Sequence, residues 1–169
     1  MKENMMLLIT LVVITQSFGI QGAIDVVFED SLCPFYDEEY FLEPDVFVDN
    51  HNSLVSNVTI IKLLPEETQV RLVIMGASMG EYVVSTGIDQ TMELCDLIEE
   101  PIMAGPNLKL LGFSEDHCPP LPGNYGTQDY VFTSTRFPDT IIPNQYLMNM
   151  TLSYEDKLLL LCQIFFKAS

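Results

Sequence analysis

The stretch from Gln145 to Tyr154, QYLMNMTLSY, constrains the fold more than any other part of the chain. Apolar side chains occupy every second position from Tyr146 onward, and the positions between them are mainly polar. This period of two predicts a strand with one buried and one exposed face. A turn at residues 155–157 and a nearly continuous apolar run over residues 158–166 follow. The pattern therefore predicts a hairpin whose second strand lies inside a sheet.

Further β-branched and aromatic runs predict strands elsewhere in the chain. These runs are residues 57–64 and 69–75, which surround the turn PEET, and residues 81–86 and 129–135. One segment differs, because residues 90–102 space Met92, Cys95 and Ile98 along one face of a helix that Pro101 would end. We therefore expect an all-β fold, an antiparallel immunoglobulin-like sandwich or β-cup with one short helix.

The first 22 residues have the pattern of a secretory signal peptide. A lysine near the start precedes an apolar run over residues 5–14, and small or polar residues follow. Cleavage fits after Gly19, Gly22 or Ala23. The run is far shorter than the ~20 apolar residues of a membrane-spanning helix. Residues 23–169 are then expected to form a single secreted domain without a transmembrane anchor.

The chain is strongly acidic, with a formal net charge of −17 at pH 7. This charge argues against binding to nucleic acid or to anionic membranes at neutral pH. Carboxylates begin to protonate at about pH 4 to 5, so an acidic compartment such as the lysosome would suit this composition.

Cysteines and glycosylation sequons agree with the secretory route. The four cysteines are Cys33, Cys95, Cys118 and Cys162. An even number behind a signal peptide predicts two disulfide bonds, for which three pairings are possible. Sequons at Asn57 and Asn149 predict N-linked glycans at the surface, and Asn149 falls on the polar face of its predicted strand.

The segment GASMG, residues 76–80, matches the G-x-S-x-G motif of serine hydrolases, with Ser78 at its centre. His51 and His117 are the two histidines that could act as the base. The motif requires a strand-to-helix turn, whereas the residues that follow read as a strand. A hairpin loop is therefore the preferred interpretation and no catalytic residue is predicted, with a small secreted serine esterase as an alternative.

Neither a metal nor a cofactor is predicted. His117 adjoins Cys118, but no second histidine stands at ligand spacing. The acidic segment DEEYFLEPD, residues 37–45, lacks the regular spacing and central glycine of a calcium loop. We expect this segment to form a solvated acidic surface.

Flexible and aromatic apolar side chains are abundant. The chain has nine methionines, seven tyrosines and ten phenylalanines but no tryptophan. Methionine fills irregular space and adapts to variable apolar partners, which fits a cavity for a flexible ligand. An ordinary sandwich core that contains some methionine is the simpler explanation of the composition alone.

Two cysteine motifs and the late hairpin occur together in residues 92–166. The first motif is C-D-L at residues 95–97, and the second is C-P-x-x-x-G-x-Y at residues 118–125. A loop and strand, FPDTIIPNQYLMNMTLS, follow at residues 137–153. In this combination the chain resembles the MD-2-related lipid-recognition (ML) family, which includes the ganglioside GM2 activator-like proteins, and its insect relatives. The resemblance implies disulfide bonds between Cys95 and Cys118 and between Cys33 and Cys162.

The resemblance also implies a β-cup whose two sheets spread apart to hold lipid chains. The expected protein is secreted or lysosomal, is not an enzyme, binds a lipid or glycolipid and presents it to a lysosomal hydrolase or a receptor. Inward strand faces supply the cavity candidates Val70, Leu72, Ile74, Met148, Met150 and Leu152, and the rim candidates are Met79, Tyr82, Phe113 and Leu121. A secreted interaction glycoprotein with a filled core is a further alternative.

Overall fold

A computed structural model describes residues 25–101, 104–130 and 142–169 of the chain. The predicted signal peptide and most of the predicted strand at residues 129–135 lie outside these residues. The described elements, in chain order, are β1 (Val26–Tyr36), β2 (Asp45–Val48), β3 (Leu54–Ile60), β4 (Gln69–Ser78), β5 (Glu81–Glu93), α1 (Leu94–Glu99), α2 (Ala104–Leu110), β6 (Gly123–Tyr130), β7 (Asn144–Tyr154) and β8 (Lys157–Ala168).

The described strands form two antiparallel sheets. One sheet has five strands in the order β1-β8-β7-β4-β5, and the other has three in the order β2-β3-β6. The helical part is a single short region in which α1 and α2 follow each other. The all-β, sandwich-like fold class predicted from the sequence is confirmed.

The predicted hairpin is the β7–β8 pair. Tyr154 lies opposite Lys157, and Glu155 takes a positive φ of 50° in the turn between them. β8 pairs with β7 on one side and with β1 on the other, so it lies inside the sheet as its apolar sequence indicates.

The helix begins later than the sequence predicts. Met92 was expected on the helix but lies in β5, opposite Val70 of β4. Cys95 and Ile98 do lie in α1, which ends at Glu99. The pairing of β5 with β4 continues to the residue before the helix, and these ladder hydrogen bonds outweigh the helical spacing of the apolar side chains.

The strands on either side of the PEET turn belong to different sheets. β3 ends at Ile60 and lies in the three-stranded sheet, whereas β4 begins at Gln69 in the five-stranded sheet. The connection is anchored by Leu64, which is buried, and by Thr68, whose Oγ1 donates a hydrogen bond to Pro65 O at 2.7 Å. The turn therefore carries the chain from one layer to the other.

Both disulfide bonds expected from the resemblance are present. Cys33 and Cys162 join β1 to β8, with their Cα atoms 4.0 Å apart. Cys95 and Cys118 join α1 to the loop before β6, with a Cα separation of 5.6 Å. The first bond links two cysteines 129 residues apart, so its loop contains most of the described domain. The second bond links the helix that follows β5 of the five-stranded sheet to the loop that precedes β6 of the three-stranded sheet.

Two apolar clusters form the core. The helix-side cluster comprises Phe41, Ile60, Leu64, Val70, Leu94, Leu97, Ile98, Leu152, Leu159, Leu160 and Cys162. The far cluster comprises Phe28, Leu54, Ile74, Tyr146, Ile164, Phe166 and Ala168. β8 supplies residues to both clusters, so one strand runs through the whole core.

Gly126 is required where β6 approaches β3. A Cβ atom added to Gly126 would lie 1.9 Å from Ser56 O and 2.9 Å from Asn57 Cα, both of them backbone atoms. We expect Gly126→Ala to push the strands apart and to lower the free energy of unfolding by about 1 to 3 kcal/mol, as measured by urea denaturation.

Gly123→Ala in the same strand is the matched control. The nearest heavy atoms to a Cβ at Gly123 lie 3.8 Å away, which is ordinary contact. This variant should stay within about 0.5 kcal/mol of the wild type. Equal unfolding free energies for the two variants would show that the β3–β6 approach is not as close as described.

Candidate functional site

The inner face of the five-stranded sheet is built from cross-strand rows, because residues directly opposite each other share a face. The rows are Gly76, Tyr146, Phe166 and Phe28; Ile74, Met148, Ile164 and Ser31; Leu72, Met150 and Cys162; and Val70, Leu152, Leu160 and Tyr36. All six cavity candidates of β4 and β7 lie on this inner face. The sequence alternation therefore assigned their orientation correctly.

The six candidates differ in burial. Val70, Ile74 and Leu152 are 2%, 3% and 7% exposed and belong to the core clusters. Leu72, Met148 and Met150 are only half-buried, although β4 and β7 are interior strands with a neighbour on each side. Their exposure therefore comes from the face of the sheet, which the second layer leaves partly uncovered.

β5 extends this partly uncovered surface. Ile88 and Met92 are half-buried beside the far and helix-side clusters respectively. Between them, Gln90 lies opposite Leu72 and is exposed. We call Leu72, Ile88, Met92, Met148 and Met150 the apolar stripe. Sequence reasoning missed the β5 members because this strand lacks a regular apolar alternation.

The four rim candidates fall into two groups. Met79 is fully exposed in the β4–β5 turn, and Tyr82 packs edge to face on Phe165 with 5.5 Å between ring centroids. Since Phe165 lies on the outer face, Tyr82 is placed away from the inner face. Phe113 stacks on Tyr125 at 4.5 Å beside the helix-side cluster, and Leu121 is exposed nearby, where its carbonyl accepts a hydrogen bond from the Tyr125 hydroxyl.

A register shift explains the position of Tyr82. Gly76 lies opposite Val84, but the next residue, Ala77, lies opposite Tyr82, so β5 carries one extra residue at this point. A bulge changes the parity of the alternation, which sends the side chains beyond it to the other face.

Ser31 places a polar group on the inner face. It lies opposite Ile164, in the same row as Met148, and is 8% exposed. Its hydroxyl oxygen has no hydrogen-bond partner among the described residues. A buried hydroxyl without a partner is costly, and a ligand group that hydrogen-bonds to it would remove that cost.

The GASMG segment is a hairpin, as the sequence indicates. Ser78 ends β4, lies opposite Glu81 of β5 and is exposed. His51 lies in the β2–β3 connection beside the Asp49 carboxylate, and His117 lies in the loop after α2. In the part of the chain that the structure describes, no hydrogen bond joins Ser78 to either histidine.

The acidic segment at residues 37–45 is not wholly solvated, which corrects the sequence-based expectation. Phe41 is 2% exposed within the helix-side cluster. The ring of Tyr40 lies below two ammonium groups, with Lys62 Nζ at 4.9 Å and Lys157 Nζ at 5.5 Å from its centroid. The segment therefore closes the helix side of the core.

Most of the positive charge in the described ranges is paired with carboxylates. Of the five basic residues described there, four form ion pairs: Lys62 with Glu39, Arg71 with Asp89, Lys109 with Glu115, and Lys157 with Asp37. Arg71 is bidentate, with Nε and Nη2 at 2.8 and 2.7 Å from the two Asp89 oxygens. Such pairs leave little cationic character for binding an anionic ligand.

The two sequon asparagines lie on the outer faces of different sheets. Asn57 of β3 is exposed. Asn149 of β7 is half-buried, and its Oδ1 accepts a hydrogen bond from Gln163 Nε2 at 2.8 Å. Neither asparagine faces the space between the sheets.

Residues 25–101, 104–130 and 142–169 contain no group of three or more histidine, cysteine, aspartate or glutamate side chains that could hold a metal ion. No helix in those ranges is long and apolar enough to cross a membrane. No protein-family model matches the chain, and no curated protein matches it. Function is therefore inferred from the inner face, the charges and the disulfide-bonded fold.

The Asp37–Lys157 ion pair should stabilise the fold in mildly acidic conditions. The hydrogen bond from Lys157, with Nζ 2.5 Å from Oδ2, and one from the Glu39 backbone lower the pKa of Asp37 below its ordinary value of 3.8. When folding lowers the pKa of a carboxyl group, the resulting stabilisation is fully present at a pH above the pKa of the unfolded state. It is lost as the pH falls through the pKa of the folded state. Asp37→Asn should therefore lower the melting temperature similarly at about pH 7 and pH 5, and the difference should shrink below about pH 3.

Glu38→Gln provides the control for this pH series. Glu38 lies in the same turn and is exposed, and the described residues give it no ion pair. Removal of the Glu38 charge should change the melting temperature little at any pH. A difference for Asp37→Asn that persists at about pH 2 would mean that the effect is not electrostatic.

Proposed function

We propose that this protein is a secreted or lysosomal carrier that holds the acyl chains of a lipid or glycolipid between its two sheets. The observation that carries the proposal is the apolar stripe, whose members on β4 and β7 are only half-buried although they lie on the inner face of interior strands. Apolar side chains left partly uncovered inside a two-layer fold provide a surface that a hydrocarbon chain can cover. The resemblance of residues 92–166 to the ML family supports the same class of ligand.

The energetics of burial are adequate for this role. Each methylene removed from water contributes about 0.8 kcal/mol, so a dozen methylenes contribute on the order of 10 kcal/mol. That gain can offset the cost of taking a lipid out of a bilayer. Three of the five residues of the stripe are methionines, Met92, Met148 and Met150, whose unbranched side chains adjust to ligands of varied shape.

Two neutral polar side chains of the described inner face could orient the ligand. The Ser31 hydroxyl lies buried in the Met148 row, and Gln90 is exposed opposite Leu72. Each can make hydrogen bonds without carrying charge. A neutral head group such as a hydroxyl or a sugar fits these partners.

The secretory and acidic setting is supported by separate features. Two disulfide bonds are typical of proteins that fold in an oxidising compartment. The lowered pKa of Asp37 keeps its ion pair intact at the pH of a lysosome. Presentation of the bound lipid to a hydrolase or a receptor is the role that we propose for the loaded protein.

A bulky residue in the apolar stripe should block lipid uptake. We expect Leu72→Trp to fill the space beside Met150 and to reduce binding of a fluorescent monoacylglycerol, a neutral lipid, by about tenfold or more. The assay is titration of the delipidated protein, with native mass spectrometry of the secreted protein to detect a lipid that co-purifies.

Val73→Trp is the matched control, because Val73 is the next residue of β4 and points to the outer face beside Asn149. It should bind the probe as the wild type does. If the wild type takes up no lipid at any pH, or if both variants bind equally, the space between the sheets is filled core and the carrier function is excluded.

Ligand charge should matter at neutral pH. The net charge of −17 and the paired cations predict that neutral lipids are extracted from vesicles in preference to anionic ones at about pH 7. Partial protonation of the carboxylates at about pH 4.5 should reduce the difference in extraction between neutral and anionic lipids. Transfer assays with vesicles that differ only in head-group charge measure this preference, and faster extraction of the anionic lipid at neutral pH would contradict it.

A further inference from the structure

A second concave surface lies on the outer face of the three-stranded sheet. It is an open groove of about 700 Å³, within the range of volumes found for small-molecule sites. Its described lining consists of Asp45, Phe47, Asp49, Val55, Ser56, Asn57, Asn124, Gly126 and Thr127. None of the residues of the apolar stripe contributes to it, so the groove is separate from the proposed lipid site.

The Phe47 side chain in this groove is exposed to solvent. Phe47 of β2 is 44% exposed and lies directly opposite Val55 of β3. A phenylalanine ring on the solvent face of a sheet gains free energy when another group covers it.

A glycosylation sequon lies within the same groove. Asn57, the first residue of Asn57-Val58-Thr59, is exposed and lies opposite Asp45, two positions along β2 from Phe47. Residues related in this diagonal way across antiparallel strands are within reach of an aromatic side chain. A sugar attached to Asn57 Nδ2 would therefore begin inside the groove and beside the Phe47 ring.

We propose that the groove is the seat of the N-linked glycan at Asn57, whose first sugars pack with their apolar C–H face on Phe47. Asp45 and Asn124 line the groove and provide oxygen acceptors for sugar hydroxyls. The glycan thus covers an exposed aromatic ring and stabilises the three-stranded sheet. Asn149 differs, because it is half-buried and its side chain accepts a hydrogen bond from Gln163.

The experiment isolates this one glycan. The full chain is expressed in secretory eukaryotic cells with Thr151→Val, which removes the second sequon but keeps the Asn149–Gln163 hydrogen bond. Peptide mass mapping then gives the occupancy of Asn57. Thr59→Val removes the sequon while leaving Asn57 itself unchanged.

Coupling between the glycan and Phe47 is measured by a double-mutant cycle. Removing the glycan, by enzyme or by Thr59→Val, should lower the melting temperature by about 2 to 4 °C when Phe47 is present and by less than about 1 °C in Phe47→Leu. Phe35→Leu is the control, because Phe35 is 41% exposed on the outer face of the other sheet. In that variant the loss of the glycan should have its full effect.

A spectroscopic readout does not depend on stability. Protons of the first N-acetylglucosamine should show ring-current shifts in the nuclear magnetic resonance spectrum, and Phe47→Leu should abolish them. The inference is overturned if Asn57 is unmodified, or if deglycosylation has the same effect with and without Phe47. It is also overturned if light scattering shows a dimer that Phe47→Leu dissociates, because a second copy of the chain would then cover the groove. It rests on the secretory route in the proposed function and not on lipid binding, so a failure of lipid uptake leaves it intact.

Discussion

The rest of the structure depends on the interior position of β8 in the five-stranded sheet. It pairs with β1 and β7, carries Cys162 to its bond with Cys33, and contributes Leu160 to the helix-side cluster and Phe166 to the far cluster. Alternate inner-face side chains of one strand thus connect both parts of the core. Because every neighbouring strand aligns its apolar face with β8, the inner face of the whole five-stranded sheet follows from this strand.

The two layers are unequal, and this inequality accounts for the candidate site. Five described strands in one sheet face three in the other. At the helix side, α1, the segment around Phe41 and the Cys95–Cys118 bond close the core. Leu72 and Met150 are only half-buried, and this is where the proposed ligand would complete the packing. The outer face of the smaller sheet has its own exposed ring, Phe47, whose proposed cover is a glycan.

Local patterns predicted the parts of this protein that depend on neighbouring residues. The alternation from Tyr146 to Tyr154 gave the orientation of the β7 residues, and the GASMG hairpin followed from the strand after it. Tyr82 and Met92 were misplaced for reasons outside their own segments: a bulge opposite Ala77 reversed the face of Tyr82, and pairing with β4 kept Met92 in a strand. A single register shift can reverse a side chain without leaving a signal in the sequence.

Strand periodicity is a local property, so the sequence alone predicts the all-β class, the main strands and the inner orientation of residues such as Leu72 and Met150. Tertiary packing, in contrast, places β3 and β4 in different sheets, leaves Leu72 half-buried while Val70 is buried, and brings Asn57 into a groove with Phe47. These outcomes depend on how much surface one layer covers on the other and on contacts between residues distant in the chain. No periodicity along the chain encodes such contacts.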